Sequence, residues 1–297
     1  MRYQVSHETR YDYDNPATLS QQLLHMSPRN FYAQKCLSHS IEITPNPYEF
    51  GSNLDYFGNN SQYFAIFTPH RSLHVRSNST VMLQPRDNID SMPQSPSWEL
   101  VRDVLKINLP NQDAANMEAF AYLYPSPNVP CSAELVTYAT PSFSPGRPLL
   151  EAALDLTQRI YREFEFDPHA TDVATPLSEV LSVRRGVCQD FAHLMTGCLR
   201  SLGLPCRYVS GYIRSARPGD SSQAIGSDAS HAWVGVYFPQ YGWVDFDPTN
   251  NCLVQTEHVT VAWGRDYSDV SPMRGVVLGG GKQTLEVSVT VTPLGNF

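Results

Sequence analysis

Three residues able to do covalent chemistry stand in the order Cys188, His231, Asp247. A thiol can attack a carbonyl carbon, an imidazole can take and return its proton, and a carboxylate can orient that imidazole and hold its charge. Cys188 follows Arg184-Arg185-Gly186-Val187 and opens a run in which Phe191, Leu194, Met195, Cys198, Leu199 and Leu202 recur at helical spacing. The spacing predicts a thiol on the first turn of a buried helix. The positive end of a helix dipole favours thiolate over thiol and can hold an oxyanion. That contribution is about 0.3–1 kcal/mol, at most about 2, against about 1.36 kcal/mol for each pKa unit. A helix terminus alone therefore does not activate a cysteine at neutral pH, and a histidinium is the natural second cation.

The run His231-Ala232-Trp233-Val234-Gly235-Val236-Tyr237-Phe238 alternates, with His231, Trp233 and Tyr237 on one face and the apolar residues between them on the other. It predicts a strand that begins with a histidine. Residues 239–242 read as a turn, and Trp243-Val244-Asp245-Phe246 as a second strand closing in Asp247-Pro248-Thr249. A hairpin of that form carries Asp247 back toward His231, giving nucleophile, base and orienter in chain order.

The ordered set is more specific than any of its members. Through Arg185-Gly-Val-Cys188-Gln-Asp190-Phe, Ser230-His231-Ala-Trp233 and Trp243-Val-Asp-Phe-Asp247-Pro-Thr249, the chain resembles the transglutaminase-like superfamily of papain-type thiol enzymes. The resemblance implies Cys188 as nucleophile, His231 as general base and acid, and Asp247 as orienting carboxylate. Tyr11-Asp-Tyr13 and residues 21–29 and 55–59 are similar to the N-terminal region of bacterial transglutaminase-like proteins, and residues 264–272 to the tail of the same group.

Rivals to these residues are weighed on geometry. His193 lies five residues from Cys188, about 500° along a helix and so about 140° off its face, and is expected to be structural. Asp190, about 160° off, suits a helix cap or a contact with Arg184 or Arg185. Asp245 shares a strand face with Asp247, but only Asp247 carries the Pro-Thr context. Trp233, Trp243, Arg265 and Tyr267 suit packing or the cleft wall equally. Cys198 falls on the apolar stripe of its helix and Cys206 at the start of a strand-like run, so both read as small buried residues.

With 41% hydrophobic and 17% charged residues the chain reads as globular. Its net charge of −8 argues against a nucleic-acid groove or an acidic lipid surface. No apolar stretch reaches the roughly 18 to 20 residues of a membrane helix, and Met1-Arg-Tyr-Gln-Val enters a strand-like pattern without a signal-peptide core. A cytoplasmic location is expected. Cys36, Cys131, Cys188, Cys198, Cys206 and Cys252 show neither zinc spacing nor a disulfide framework. Asp266 and Asp269 are too sparse for a calcium loop, so no metal and no cofactor are expected.

The fold class expected is α+β: an N-terminal antiparallel β-sandwich, then a papain/transglutaminase-like core with Cys188 at a helix N-terminus packed on an antiparallel sheet. Alternating segments at 3–9, 17–26, 37–44, 62–67 and 72–83, separated by turn clusters, place the β domain at 1–90. Residues 91–147 read as a partly helical linker with helices near 98–105 and 112–122. Residues 148–262 form the catalytic core, opening at Pro148 with a second helix capped by Thr175. Residues 263–297 end in a strand, 283–292, returning to the β domain. The polar stretch 215–228 is long enough for a lid or a plain hairpin loop.

Two function classes follow. The first is a thiol enzyme acting on a peptide or protein substrate and hydrolysing a peptide or glutaminyl amide through a thioester, with glutaminyl cross-linking to an amine (protein-glutamine gamma-glutamyltransferase) as its alternative. The second is a non-catalytic peptide-binding module, which would have no use for all three residues together.

Overall fold

In the computed structural model, residues 1–86, 95–106, 114–215, 224–226, 229–239 and 241–295 are described. The chain opens with β1 (Arg2–Leu24), β2 (Gln34–Thr44), β3 (Glu49–Leu54), β4 (Asn60–Ile66) and β5 (His70–Leu83). Helices follow at α1 (Trp98–Lys106), α2 (Ala114–Phe120), α3 (Ala133–Ala139) and α4 (Leu149–Glu163). Then come β6 (Glu165–Phe166), α5 (Leu177–Val183), β7 (Arg185–Gly186), α6 (Cys188–Ser201), β8 (Cys206–Ile213), β9 (His231–Phe238), β10 (Gly242–Asp247), β11 (Cys252–Leu253) and β12 (His258–Gly264). The chain closes with α7 (Tyr267–Val270), β13 (Met273–Gly279) and β14 (Gln283–Pro293).

The first five strands and the last two form one curled antiparallel sheet. Asp14-Asn15-Pro16, expected to separate two strands, instead marks a bend within the single strand β1, where the register with β5 slips between Asp12 and Ala17. Proline cannot donate to a ladder, so the chain leaves the pairing there without ending it. Before the bend β1 lies between β5 and β14, and after it between β4 and β13. The two halves fold onto each other, and Ile43, Leu73 and Val75 from one meet Leu24, Phe64 and Ile66 from the other in a buried cluster. Strands that change layer at a bend make such corners in packed sheets. Edge strand β3 has no alternating pattern to announce it.

The second sheet has the order β11-β10-β9-β8-β12, and every neighbouring pair is antiparallel. Helix α6 packs on β8 and β9 and is enclosed by α3, α4 and α5. That explains why its side chains from Asp190 to Arg200 are all buried, rather than one stripe of them. Each fully buried Leu, Met or Phe on it stabilises the core by about 1.5–3 kcal/mol. The Arg200 charge near its C-terminus is met by the carbonyls of Tyr122, Cys206 and Arg265, at 3.0, 2.9 and 2.6 Å. Pro148, expected as the first helical residue, is the N-cap of α4, and α5 is likewise capped one residue later than expected, by Pro176 in place of Thr175.

The apolar core is continuous across both sheets, running from Leu156 and Ile160 through Phe191, Leu194 and Leu199 to Val234 and Val236, then to Tyr3, Val5, Val289 and Val291. A polar seam reinforces the join. Arg29 and Arg207 stack on Trp263 at 3.6 and 3.7 Å from its centroid, and Arg207 also covers Trp243 at 4.5 Å. No helix among the described residues is long and apolar enough to cross a membrane.

Candidate active site

Cys188 is the first residue of α6, with Val187 as N-cap. The start of the helix is held by Asp190, whose Oδ2 accepts from the Val187 N–H at 2.8 Å and from the Thr171 hydroxyl at 2.7 Å. Asp190 is therefore a cap, as expected, and burial raises its pKa. Gly186 is required for this closure, because a Cβ there would lie 2.5 Å from Asp190 Oδ2. The thiol is half-buried, with Sγ 3.9 Å from the carbonyl of Ser230, the residue before His231.

His231 opens β9, and the predicted hairpin with β10 is present, with Phe246 opposite Val234 and Trp243 opposite Tyr237. In that register Asp247 falls diagonally across from His231 on the same face, within reach of a long side chain. Nε2 of His231 is 2.7 Å from Asp247 Oδ2, and both side chains are fully buried. The remaining ring nitrogen, Nδ1, is buried with no hydrogen-bond partner among the described residues. Burial by itself would lower the His231 pKa. The Asp247 charge and hydrogen bond, followed by the nearby Cys188 side chain, reverse that and hold it at about 10. Burial likewise pushes Asp247 up, but the charge and hydrogen bond of His231, then those of His258, keep its carboxyl far below the usual range. The arrangement can keep an imidazolium between a thiol and a carboxylate, ready to give and recover a proton.

Asp247 is fixed from several sides. Its Oδ1 accepts from the N–H groups of Thr249 and Asn250 at 2.9 and 3.1 Å, so the carboxylate caps its own Pro-Thr turn. Its Oδ2 also accepts from the Asn250 amide at 2.8 Å and meets His258 Nε2 at 3.0 Å. His258 and Asn250 were not singled out in the sequence. The available signal was a histidine opening a strand, in His258-Val-Thr-Val as in His231-Ala-Trp-Val, on the two strands that flank β8. Asn250 also brackets Ile225, accepting from its N–H at 2.9 Å and donating to its carbonyl at 3.3 Å, while Gly226 backs onto His231 Nδ1. Of the expected lid or hairpin loop, residues 216–223 and 227–228 lie outside the described residues.

The donor atoms of His231, Asp247 and His258 lie within 4.8 Å of one another. Their separations of 2.7 and 3.0 Å are hydrogen-bond distances, shorter than the about 3.3 Å that tetrahedral ligands of one zinc ion would show.

The other candidates fall outside this centre. His193 Nε2 accepts from the Tyr267 N–H at 3.1 Å, and burial lowers its pKa to about 4, so it is a neutral structural histidine. Asp245 accepts from Trp233 Nε1 at 3.1 Å and pairs with Arg86. Trp243 packs with Tyr122 and Tyr237 at ring distances of 5.1 and 5.3 Å. Arg265 pairs with Asp269 at 2.9 Å, and Tyr267 sits on α7 against the main core. Burial raises the Cys198 thiol well above its ordinary value and the Cys206 thiol to about 12, which makes both inert.

Residues 3–82 match the bacterial transglutaminase-like N-terminal region, and residues 137–248 match the transglutaminase-like superfamily. The chain belongs to the transglutaminase-like superfamily. An uncharacterized protein of Mycobacterium tuberculosis is 39% identical over 98% of this chain and 93% of its own length. A second, from Mycobacterium leprae, is 29% identical over 99% of each. The protein-glutamine gamma-glutamyltransferase of Pseudomonas aeruginosa is 28% identical over 32% of this chain and 15% of its own length. Among solved structures, a "putative cysteine protease" from Cytophaga hutchinsonii shares the fold, with a TM-score of 0.74 at 20% identity over 100% of this chain and 92% of that one. The superfamily match contains Cys188, His231 and Asp247 and ends before Asn250 and His258.

Proposed function

We propose that this protein is a thiol-dependent amide acyl-transfer enzyme that hydrolyses a peptide or glutaminyl amide in a protein or peptide substrate. The chemistry is assigned to residues 148–262. The observation that carries the reading is His231, with Nε2 at 2.7 Å from Asp247 and the half-buried Cys188 side chain acting on the same ring. His231 takes the Cys188 proton, and the sulfur attacks the carbonyl carbon. The tetrahedral adduct collapses with cleavage of the C–N bond, His231 returns the proton to the departing nitrogen, and a thioester remains. Water, deprotonated by His231, then attacks the thioester; the C–S bond breaks and the thiol is restored. All six cysteines are free, which suits a reducing compartment and supports a cytoplasmic setting.

The test is release of ammonia from a glutaminyl dipeptide and of new amino termini from casein, with and without hydroxylamine. Turnover that disappears in Cys188→Ala is expected, and turnover that persists in that variant contradicts the mechanism. Hydroxamate formed in place of the free acid would move the assignment from hydrolysis to amine transfer.

A further inference from the structure

We propose that His258 is a positioning residue of this reaction, holding Asp247 through a neutral Nε2–H so that the positive charge resides on His231. The inference rests on the reading of Cys188, His231 and Asp247 as a triad.

The placement is a product of the sheet. β9 and β12 flank β8, with His231 opposite Gly211 and His258 opposite Ile213, so both imidazoles stand on one face at one end of the sheet. Gly211 lets them approach. A Cβ there would lie 2.1 Å from the Val259 carbonyl and 2.5 Å from the Trp233 ring, which itself packs edge-on to His258 at 5.2 Å. Both rings address the same oxygen, Oδ2, at 2.7 and 3.0 Å, while Oδ1 is held by two backbone N–H groups. A carboxylate occupied on both oxygens cannot turn away from His231 when the substrate arrives.

The proton arrangement follows from what each ring faces. A bond from His258 to a carboxylate requires hydrogen on Nε2, and its Nδ1 is buried without a partner among the described residues. A bare lone pair is tolerated there better than a second N–H. The charged and titratable groups that act on His258 are Asp247 on β10, His231 on β9 and Arg86 beyond β5, and the Cys252 thiol on β11 lies near Asp247. Burial is the largest influence and lowers the His258 pKa, with His231 and Arg86 acting in the same direction and Asp247 opposing. His258 therefore serves as a donor that does not compete for the charge.

The experiment is the rate of Cys188 alkylation by iodoacetamide against pH, with thermal unfolding as a parallel measurement, in wild type, His231→Asn, His258→Phe and His258→Gln. Wild type is expected to show an alkaline inflection set by His231, and His231→Asn only the ordinary ionisation of an unpaired thiol at about 8.5. His258→Phe keeps the ring volume but removes the donor, leaving Oδ2 more basic toward His231, so the inflection should rise by about one pH unit. In the same variant, peptide turnover should fall about 10- to 100-fold. His258→Gln, which retains an N–H, should restore both. If His258→Phe does not fold, His258→Leu gives the same reading. A variant that unfolds at lower temperature yet keeps the wild-type inflection makes His258 merely structural and overturns the proposal. Absence of the inflection from wild type itself overturns the triad together with it.

Discussion

Strand β10 carries two buried aspartates two residues apart on one face, and their surroundings differ in kind. Each accepts a bond from the ring diagonally across on β9, Asp245 from Trp233 and Asp247 from His231. Asp245 then meets two guanidiniums, with Arg86 in direct contact and Arg207 at 3.8 Å, whereas Asp247 meets a second imidazole. Burial raises both carboxyls and the neighbouring cations lower both. A guanidinium does not release its proton, so the Asp245 cluster is a fixed strut between the two sheets. An imidazolium does, so the same strand geometry two residues further on supports proton transfer. The contrast shows that the partner, more than the carboxylate, decides whether a buried ion pair is structure or chemistry.

The contrast can be broken or sharpened by substitution. Cys188→Ala should remove turnover altogether while leaving the unfolding temperature within a few degrees of wild type; residual turnover would place the chemistry elsewhere. Asp247→Asn should reduce kcat about 10²- to 10⁴-fold, because the carboxylate orients and does not react. Asp245→Asn should do the opposite, lowering stability by about 3–5 kcal/mol by stranding two buried arginines, with kcat of the folded fraction nearly unchanged. Denaturant titration beside kinetics separates the two, and equal effects from both asparagines would erase the distinction.

The pH dependence of stability gives a subtler test. His231, held at about 10, keeps a proton in the folded state that the unfolded chain loses from about pH 6.5 upward. Its contribution is therefore complete below 6.5 and is lost as pH rises toward 10. His7 and His193, both lowered to about 4 by burial, act on the other side: their contribution is present above 6.5 and is lost as pH falls toward 4. The unfolding temperature followed from pH 4 to 10 should peak near neutrality, and His231→Asn should flatten only the alkaline arm. The smallest effect expected is that of Asp190→Ala, which removes the cap of α6 for about 1 kcal/mol.

Much of the candidate centre was legible because it is local in the chain. The 3.6-residue spacing after Cys188 located the start of α6, and alternation from His231 to Phe246 located the hairpin that returns Asp247. Asp190 and His193 were correctly set aside by counting degrees around a helix. What escaped depends on pairing between distant segments. His258 reaches Asp247 only because β12 docks on the far side of β8, and no local pattern encodes that neighbour. Arg86, just beyond β5, meets Asp245 only once the two sheets pack. The bend in β1 was read as a turn because Asp14-Asn15-Pro16 has turn chemistry, and only partners on both sides keep the strand continuous through it.

The most direct test of the central claim is the iodoacetamide labelling rate at each of the six cysteines, read by mass spectrometry across pH in wild type and His231→Asn. Cys188 should label fastest near and below neutral pH, ahead of the exposed Cys131, and should lose that lead in His231→Asn. Labelling of Cys188 no faster than Cys36 or Cys252, and unchanged by the loss of His231, would contradict a thiol–imidazole–carboxylate centre.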